Sequence, residues 1–324
     1  MGPQEMHICK KLFYDINFEP DAVQPCCNVH GIRVPRFPFS GGKLDMASYA
    51  AHIVHVVDTL QDSASLVCKG CPELEEVDIG ENARVNINFH TVSINMHRHQ
   101  CNCRCVYCDL WRHDGSSYSI LPALQSLWEQ HVLYPQCSFS WGGGEPSILK
   151  EFEETSRWIL ENGYFQYVHT NALRHSPTVE RLLREGRGAV NVSLDSASPD
   201  VYRAVKGIND FTRVVEHVRC YAAAACVPSL VHVKYIIFEK NNSLKEIARF
   251  LELCASLNVG VVQYSLNFKD LNSVGAQPKS LLGAAFFRRR AAELGLATEP
   301  FFIPPAALQA IEHMERAHFS DVTS

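Results

Sequence analysis

The sequence predicts an α/β protein built on a partial parallel (β/α)6 barrel, with a small cysteine-rich domain before it and a short helical extension after it. From about residue 85 to residue 270, strand and helix patterns alternate along the chain. Alternation of this kind produces a parallel sheet covered by helices. Six such units are too few for a closed eight-stranded barrel. We therefore expect three parts, at residues 1–84, 85–270 and 271–324.

The elements of the predicted barrel follow from hydrophobic periodicity. Val85, Ile87 and Phe89 alternate with polar residues, and the phase then flips to Val92, Ile94 and Met96, which predicts a bulge or a short turn in the first strand. Later strands are expected at 137–141, 165–170, 189–195, 230–238 and 260–267, with helices at 120–131, 148–161, 177–185, 211–225 and 244–257.

The segments before and after the predicted barrel have different sequence patterns. Residues 1–84 are Pro- and Gly-rich around residues 35–42, have few strand signals and contain one predicted helix, 46–60. Such a segment has little apolar surface of its own to bury, so a bound metal would help it to fold. After residue 270 the chain is predicted to be helical, with prolines between the helices.

Composition excludes several classes of function. The 324-residue chain has a formal net charge of −5, and its densest basic run is only Arg288–Arg290, which argues against a nucleic-acid partner. The N-terminus lacks the profile of a secretory signal, and no apolar run reaches the roughly 18 residues of a membrane helix. We expect a cytoplasmic protein.

The cysteine content of the chain is unusually high. Thirteen cysteines are present, and nine of them fall within the first 108 residues. In a reducing compartment disulfides are a poor explanation for such a set. Metal or iron–sulfur ligation is the better interpretation.

The cysteine loop, residues 101–108, follows the first barrel strand. Cys101, Cys105 and Cys108 have the spacing C-x3-C-x2-C. Three close thiolates can hold three irons of a [4Fe–4S] cluster and leave the fourth iron open. A zinc site is the alternative, because Cys103, with His97 or His99, could complete a tetrahedron.

This loop resembles the signature of the radical S-adenosylmethionine (SAM) superfamily, with Tyr107 at the aromatic position before the last cysteine. The resemblance implies that SAM chelates the open iron and that one electron, from a donor such as flavodoxin or ferredoxin, cleaves it. The resulting 5′-deoxyadenosyl radical then abstracts a hydrogen atom from a substrate C–H bond.

A glycine turn follows the second predicted strand. Gly143, Gly144, Glu145 and Pro146 are similar to the GGEP motif of that family, which contacts the amino group of the methionine moiety. The chemistry is plausible because glycines let a ligand approach the backbone and a carboxylate pairs with an ammonium.

Polar residues at the later strands are further candidates for binding the cofactor. Thr170 and Asn171 end the third strand, and Ser193 and Asp195 lie on one face of the fourth. Lys234 interrupts the apolar fifth strand and needs a partner, such as a carboxylate of the cofactor, of the substrate or of Asp195.

The cysteines before the barrel form a second group, Cys9, Cys26, Cys27, Cys68 and Cys71. The Cys68–Cys71 spacing is that of a metal-binding knuckle. The group resembles the SPASM and twitch auxiliary-cluster domains, although those domains usually follow the barrel. An auxiliary [4Fe–4S] cluster, a structural zinc and free thiols are the three interpretations.

The predicted reaction is an oxidation, epimerisation or cross-link on a small molecule (a sugar or nucleotide) or on a ribosomal peptide. A cluster-bearing binding or electron-transfer protein is the alternative of another class. The remaining thiols at 220, 226 and 254 are predicted to be in the core. Any of them, or Cys103 or Cys137, could return a hydrogen atom if it faced the cavity.

Overall fold

A computed structural model of the chain describes residues 5–26, 32–62, 64–71, 73–78, 86–115, 117–268 and 277–319. For residues 5–7 and 76–78 the structure describes the backbone only, and for the other residues of these segments it also describes the side chains. Val85, Cys27 and both expected domain boundaries, after residues 84 and 270, lie outside the described residues, so these boundaries remain predictions.

The chain divides into two compact units, each containing several segments. The first comprises Met1–His99, Asp114–Gly144 and Glu154–Gln166. The second comprises Gln100–His113, Glu145–Glu153 and Tyr167–Ser324.

The first unit contains a sheet in the order β4-β3-β2-β6-β7, together with a separate antiparallel pair, β1 and β5. Strand β6 pairs in parallel with β2 and with β7, and the register shifts between Phe89 and Thr91, so the predicted bulge is confirmed. The helix at 46–60 was predicted from the sequence. The four strands described before it, β1 to β4, were not. The elements are β1 (Glu5–Ile8), α1 (Lys11–Tyr14), β2 (Asp15–Phe18), β3 (Ala22–Gln24), β4 (Phe37–Pro38), α2 (Met46–Leu60), β5 (Glu75–Asp78), β6 (Phe89–Ile94), α3 (Leu121–Glu129), β7 (Leu133–Trp141) and most of α4 (Phe152–Glu161).

The second unit contains strands in the order β8-β9-β10-β11-β12, and β10 pairs in parallel with both β9 and β11. The extension after residue 270 is not only helical, because β12 pairs in parallel with β11. A short helix at 199–206 was also not predicted. The elements are β8 (Phe165–Thr170), α5 (Pro177–Arg184), β9 (Gly188–Ser193), α6 (Pro199–Lys206), α7 (Phe211–Ala224), β10 (Val231–Ile237), α8 (Leu244–Ser256), β11 (Val261–Leu266), α9 (Pro278–Glu293), β12 (Ala297–Pro300) and α10 (Pro305–Phe319).

The sheet of the second unit has an apolar and a polar face. Tyr235 packs on Phe250 of α8 at 4.6 Å between ring centroids, and Tyr264 packs on Phe287 of α9 at 5.5 Å. Because side chains alternate along a strand, the neighbours of these tyrosines point to the opposite face. That face carries a row of polar residues: Asn191, Ser193, His232, Lys234, Gln263 and Glu299.

The α/β class and the mostly parallel sheet predicted from the sequence are confirmed. No helix among the described residues is long and apolar enough to cross a membrane.

Candidate active site

The cysteine loop is held against the end of α6 by backbone hydrogen bonds. The Arg104 amide donates to the Lys206 carbonyl at 2.9 Å, and the Val106 amide donates to the Val205 carbonyl at 3.0 Å. Helix α6 ends at Gly207, where φ is +71° and an added Cβ would lie 2.8 Å from the Arg104 carbonyl oxygen. Only glycine combines this backbone angle with so close an approach, so Gly207 fixes the path of the loop.

The thiols of the loop differ in their tendency to ionise. A hydrogen bond from the Cys103 thiol lowers the pKa of Cys101, and the same kind of bond, assisted by the Lys206 charge, lowers the pKa of Cys105 to about 6. Cys103 itself is almost fully buried, and its pKa is raised by donating to both neighbours. The pKa of Cys108 is raised, first by burial. Metal ligation requires thiolates, so these electrostatics favour Cys101 and Cys105 as ligands and make Cys103 a protonated donor.

Tyr107 of the loop forms a hydrogen-bonded triad with Asp195 and Lys206, in which Asp195 and Lys206 are buried and Tyr107 is partly buried. The Tyr107 hydroxyl donates to Asp195 Oδ2 at 2.6 Å, and Lys206 Nζ donates to the Tyr107 oxygen at 3.0 Å and also to Asp195 Oδ2. Burial lowers the pKa of Lys206, but the charges of Asp195 and Cys105 raise it by more, so it stays above its ordinary value. Burial raises the pKa of Tyr107, and Asp195 adds to this. All three side chains are thereby fixed.

Asp195 is completely buried and adopts a left-handed backbone angle, φ 59°. Its other carboxylate oxygen accepts from the Ile236 amide at 2.7 Å. Its carbonyl accepts from the side chain of Asn241 at 2.9 Å, and the same amide group bonds to the Ile236 carbonyl. Asp195 pairs with Lys206 rather than with Lys234, which was the alternative expected from the sequence.

Glu145 is also completely buried, with four protein donors on its two oxygens. Oε1 accepts from the Ser147 amide at 3.1 Å, the Ser147 hydroxyl at 2.6 Å and the Thr170 hydroxyl at 2.7 Å, and Oε2 accepts from the Asn171 amide at 2.6 Å. Pro146 opens the short 3-10 turn that places Ser147. Burial raises the pKa of Glu145, and the hydrogen bonds oppose this. No Lys or Arg of the described segments pairs with this carboxylate.

Asn171 connects the end of β8 with the cysteine loop. Its side-chain amide donates to Asn102 Oδ1 at 2.7 Å and lies 3.9 Å from Cys101 Sγ. Its backbone amide bonds to Glu145. A contiguous set of contacts therefore runs from Glu145 through Asn171 to Cys101.

The glycine turn lies in the first unit up to Gly144. An added Cβ at Gly142 would meet Asn95 Oδ1 at 2.9 Å, and one at Gly143 would meet the Arg98 side chain at 2.8 Å. Gly143 and Gly144 also have positive φ angles, +64° and +38°. Glycine is therefore required by packing and backbone geometry. The predicted approach of a ligand to these glycines is not tested.

The polar face carries a hydrogen-bonded group. Gln263 accepts from Asn191, donates to Glu299 at 2.8 Å and lies 3.2 Å from His232 Nδ1. Lys234 Nζ lies 4.6 Å from the centre of the Phe301 ring, and its pKa is lowered by burial although Asp195 opposes this. Ser193 is level with Lys234 in the strand register.

The N-terminal cysteines are brought together within the first unit. The pKa of Cys68 is raised to about 12 by burial and by the neighbouring thiols of Cys26, Cys71 and Cys9. The pKa of Cys9 is raised, first by burial and in part by Cys71. The Cys71 amide donates to the Cys68 carbonyl at 3.0 Å, which closes the predicted knuckle.

Outside these groups, Cys254 and Cys137 are buried, and the pKa of Cys137 is raised to about 12 by burial. Cys226 is exposed, so its prediction as a core thiol is wrong: it follows the end of α7 in a turn. Cys220 is partly exposed on α7.

Sequence reasoning missed the supporting residues Lys206, Asn241, Asn102 and Ser147. One signal was available for Lys206, because it lies four residues after the buried Tyr202 and so shares its face of the helix. Asn241 and Asn102 lie in loops, where periodicity carries no information.

Comparison with known proteins decides the family. Residues 95–254 match the family model for the radical SAM superfamily. The chain carries a radical SAM domain. A [4Fe–4S] cluster and SAM are the cofactors that this family implies.

The curated relatives of the chain include probable GTP 3′,8-cyclases. The protein of Saccharolobus islandicus (strain Y.N.15.51 / Yellowstone #2) is 27% identical over 174 residues, 53% of this chain and 54% of the relative. That of Methanocaldococcus jannaschii is 24% identical over 175 residues, 52% of this chain and 55% of the relative. The chain spans about half the length of the curated relatives it matches.

Solved structures share the fold. SuiB of Streptococcus suis bound to SAM has a TM-score of 0.53 at 13% identity, covering 72% of this chain and 53% of SuiB. anSMEcpe with bound AdoMet has a TM-score of 0.51 at 16% identity, covering 65% of this chain and 63% of that protein. Identities this low show the α/β fold and nothing finer.

Proposed function

We propose that this protein is a radical SAM enzyme that abstracts a hydrogen atom from a substrate C–H bond. The observation that carries the proposal is the contact path from buried Glu145 through Asn171 to Cys101. When bound, the cluster and SAM supply the 5′-deoxyadenosyl radical. The chain's residues hold these groups, orient them and set their electrostatics.

The thiols of the cysteine loop fit a cluster with three protein ligands. Cys101, Cys105 and Cys108 interact electrostatically with one another, so their sulfur atoms lie close together. The lowered pKa values of Cys101 and Cys105 favour the thiolate form that binds iron. The Cys103 amide donates a hydrogen bond to Cys101 Sγ at 3.4 Å, and such bonds tune an iron–sulfur cluster. We therefore assign ligation to these three cysteines and not to Cys103.

Glu145 supplies negative charge next to the cysteine loop. Its four donors are neutral, so the carboxylate charge is not cancelled by a cation. A buried charge of this kind attracts an ammonium group brought to its rim. We assign Glu145, with Thr170 and Asn171 holding it in place, to the amino group of SAM.

Tyr107 and Asp195 support the loop rather than offering free polar atoms. Protein donors occupy both oxygens of Asp195. We propose that these residues act by fixing the loop through Lys206. Gly143, Gly144 and Pro146 are proposed to shape the backbone at the methionine end of SAM, and Ser193 to lie near its ribose or carboxylate.

For the substrate we propose an anionic small molecule of the nucleotide class. Lys234 lies on the polar face, where no described carboxylate forms an ion pair with it, and can bind a phosphate or carboxylate. The curated relatives, named as probable GTP 3′,8-cyclases, support this class. A peptide is the second candidate, because a structure of SuiB was solved with its precursor peptide SuiA. Oxidation, epimerisation and cross-linking are the possible outcomes.

We also propose that Cys9, Cys26, Cys68 and Cys71 hold an auxiliary [4Fe–4S] cluster. The interaction of the Cys68 thiol with those of Cys26, Cys71 and Cys9 supports a shared ligand. Cys27 lies outside the described residues. A structural zinc at this site is the alternative.

The deciding experiment is anaerobic reconstitution with iron and sulfide, followed by SAM and a strong reductant such as dithionite. We expect 5′-deoxyadenosine to form, and GTP or another nucleotide to increase its amount. Glu145→Gln should reduce the product, whereas Glu154→Gln, a change at an exposed residue, should leave it unchanged. Failure of the reconstituted wild type to form 5′-deoxyadenosine would support a binding or electron-transfer protein instead.

A further inference from the structure

A second group of metal-binding side chains lies on α5, on α7 and just before α5, apart from the cysteine loop. His175, Glu180 and Cys220 each offer one ligand atom, and these atoms all lie within 4.8 Å of one another. A ring nitrogen of His175 is already 2.9 Å from Glu180 Oε1. All three side chains are partly exposed, so an ion in solution can reach them.

Helix geometry explains why these residues meet. Ser176 caps the start of α5, which places His175 just before the helix and Glu180 in its first turn. The Tyr221 hydroxyl of α7 accepts from the Ser176 amide at 3.0 Å, and its ring stacks on His175 at 5.3 Å. The two helices are thereby fixed at the cluster. The cluster is built by the fold and does not depend on a flexible loop.

His217 adds a fourth candidate ligand. It lies three residues before Cys220 on α7, and residues three apart share one face of a helix. Its Nδ1 donates to the Ala172 carbonyl at 2.7 Å, because a carbonyl only accepts. In the neutral ring this bond leaves the lone pair on Nε2, which is the tautomer found in metal-binding histidines that are oriented by a backbone carbonyl.

The spacing of the two histidine rings fits a shared ion. Their centroids lie 5.4 Å apart. With Zn–N bonds of 2.0–2.1 Å and tetrahedral angles, two imidazoles on one zinc have centroids about 5 Å apart. We propose that His175, Glu180 and Cys220 bind one zinc ion, and that His217, which is not part of the 4.8 Å group, turns its ring to complete the coordination. A set with one sulfur, two nitrogens and one oxygen is typical of zinc rather than of magnesium or calcium, which prefer oxygen ligands.

A simpler interpretation is an ion pair between His175 and Glu180 at a helix start. That ion pair does not explain why the Cys220 thiol lies within 4.8 Å of both groups. Nor does it explain why His217 is oriented by the Ala172 carbonyl. The second carboxylate oxygen of Glu180 lies 3.7 Å from Arg184.

The zinc would brace the candidate active site. Ala172, which holds His217 by its carbonyl, has a left-handed φ of 55° and directly follows Asn171. Asn171 in turn contacts Asn102 of the cysteine loop. Fixing His217 therefore restrains the segment that carries Asn171.

The test is the zinc and iron content of the anaerobically reconstituted protein, after exposure to excess zinc and gel filtration. We expect about one zinc per chain in the wild type. This zinc should persist in the Cys68→Ser/Cys71→Ser variant and be lost from Cys220→Ser and from His175→Gln. Cys226→Ser, a change at an exposed cysteine outside the cluster, is the matched control and should keep the zinc.

Two results would overturn the proposal. One is a wild type that holds no zinc, and the other is zinc that survives in Cys220→Ser but is lost from Cys68→Ser/Cys71→Ser. If Cys220→Ser does not fold, X-ray absorption at the zinc edge of the wild type decides the question. One sulfur with nitrogen and oxygen neighbours supports the site, and four sulfurs contradict it. Formation of 5′-deoxyadenosine is a separate readout, so failure of this proposal leaves the proposed function intact.

Discussion

The Tyr107 hydroxyl donates a hydrogen bond to the Asp195 carboxylate at 2.6 Å, which links the cysteine loop to the end of β9. Lys206 joins both groups, and Lys206 and Asp195 are almost completely buried. A buried carboxylate and ammonium of this kind stabilise a fold only as a pair, because either charge alone has lost its water.

Removal of one charge from this pair should be far more harmful than removal of both. We expect Asp195→Ala to destabilise the protein by about 3–5 kcal/mol, since it leaves the Lys206 ammonium buried without a counter-ion. Asp195→Leu combined with Lys206→Met should be closer to the wild type in stability. Urea unfolding of the anaerobic protein measures both. Equal destabilisation by the single and double variants would contradict the pairing.

Tyr107→Phe tests the hydroxyl alone. The change removes one donor from Asp195 and keeps the ring, which packs on Phe238 at 5.7 Å. We expect a loss of about 1–3 kcal/mol in the free energy of unfolding, with the iron content unchanged. Loss of the cluster in this variant would instead mean that the hydroxyl is needed for its assembly.

Cys103 is predicted to tune the cluster without ligating it. In Cys103→Ala we expect the wild-type number of irons, because Cys101, Cys105 and Cys108 remain. The reduction potential should become more negative, since two sulfur atoms lose a hydrogen-bond donor. Iron analysis and a redox titration followed by electron paramagnetic resonance measure these quantities. Cys101→Ser is the matched variant and should lose iron; loss of iron from Cys103→Ala would make Cys103 a ligand.

Sequence periodicity predicted the later strands and helices well. The strand at 165–170 was predicted with the observed bounds, and those at 230–238 and 260–267 each end within one residue of the observed strand. Each is an uninterrupted apolar or alternating run between turn signals, which is the pattern that periodicity detects. The cysteine loop and the glycine turn were found because their residue types are chemically unusual.

Short elements and tertiary contacts were not predictable in the same way. Strand β12, Ala297–Pro300, has only four residues and is mostly exposed, so it has no hydrophobic pattern. Two of the four donors of Glu145 come from the distant residues Thr170 and Asn171, and the sequence indicates only that a buried carboxylate needs partners. The choice of Lys206 over Lys234 as the partner of Asp195 likewise depends on helix α6, which the sequence analysis did not identify.

His169 should make the stability depend on pH. Burial, helped by the charges of Lys234 and His232, lowers its pKa to about 4 from 6.5. His169 is therefore protonated near pH 6.5 in the unfolded chain but only near pH 4 in the folded chain. The stability due to neutral His169 is present above pH 6.5 and is lost as the pH falls, by at most about 1.4 kcal/mol per pH unit.

The measurement is the free energy of unfolding between pH 7 and pH 5 in the wild type and in His169→Gln. The variant should show a shallower fall, because one protonation difference has been removed. His313→Gln, at an exposed position in the same unit, should keep the wild-type slope. An unchanged slope in His169→Gln would show that His169 is not held neutral in the folded protein.

Iron counting tests the auxiliary cluster against zinc. If Cys9, Cys26, Cys68 and Cys71 bind a second [4Fe–4S] cluster, the reconstituted wild type should hold about eight irons per chain. The variant in which Cys101, Cys105 and Cys108 are all replaced by Ala should hold about four, because the N-terminal thiols remain close together. Cys68→Ser/Cys71→Ser should also fall to about four, and Cys226→Ser should keep about eight. A wild type with about four irons, all of them lost from the triple variant, would leave the N-terminal cysteines to zinc or to free thiols.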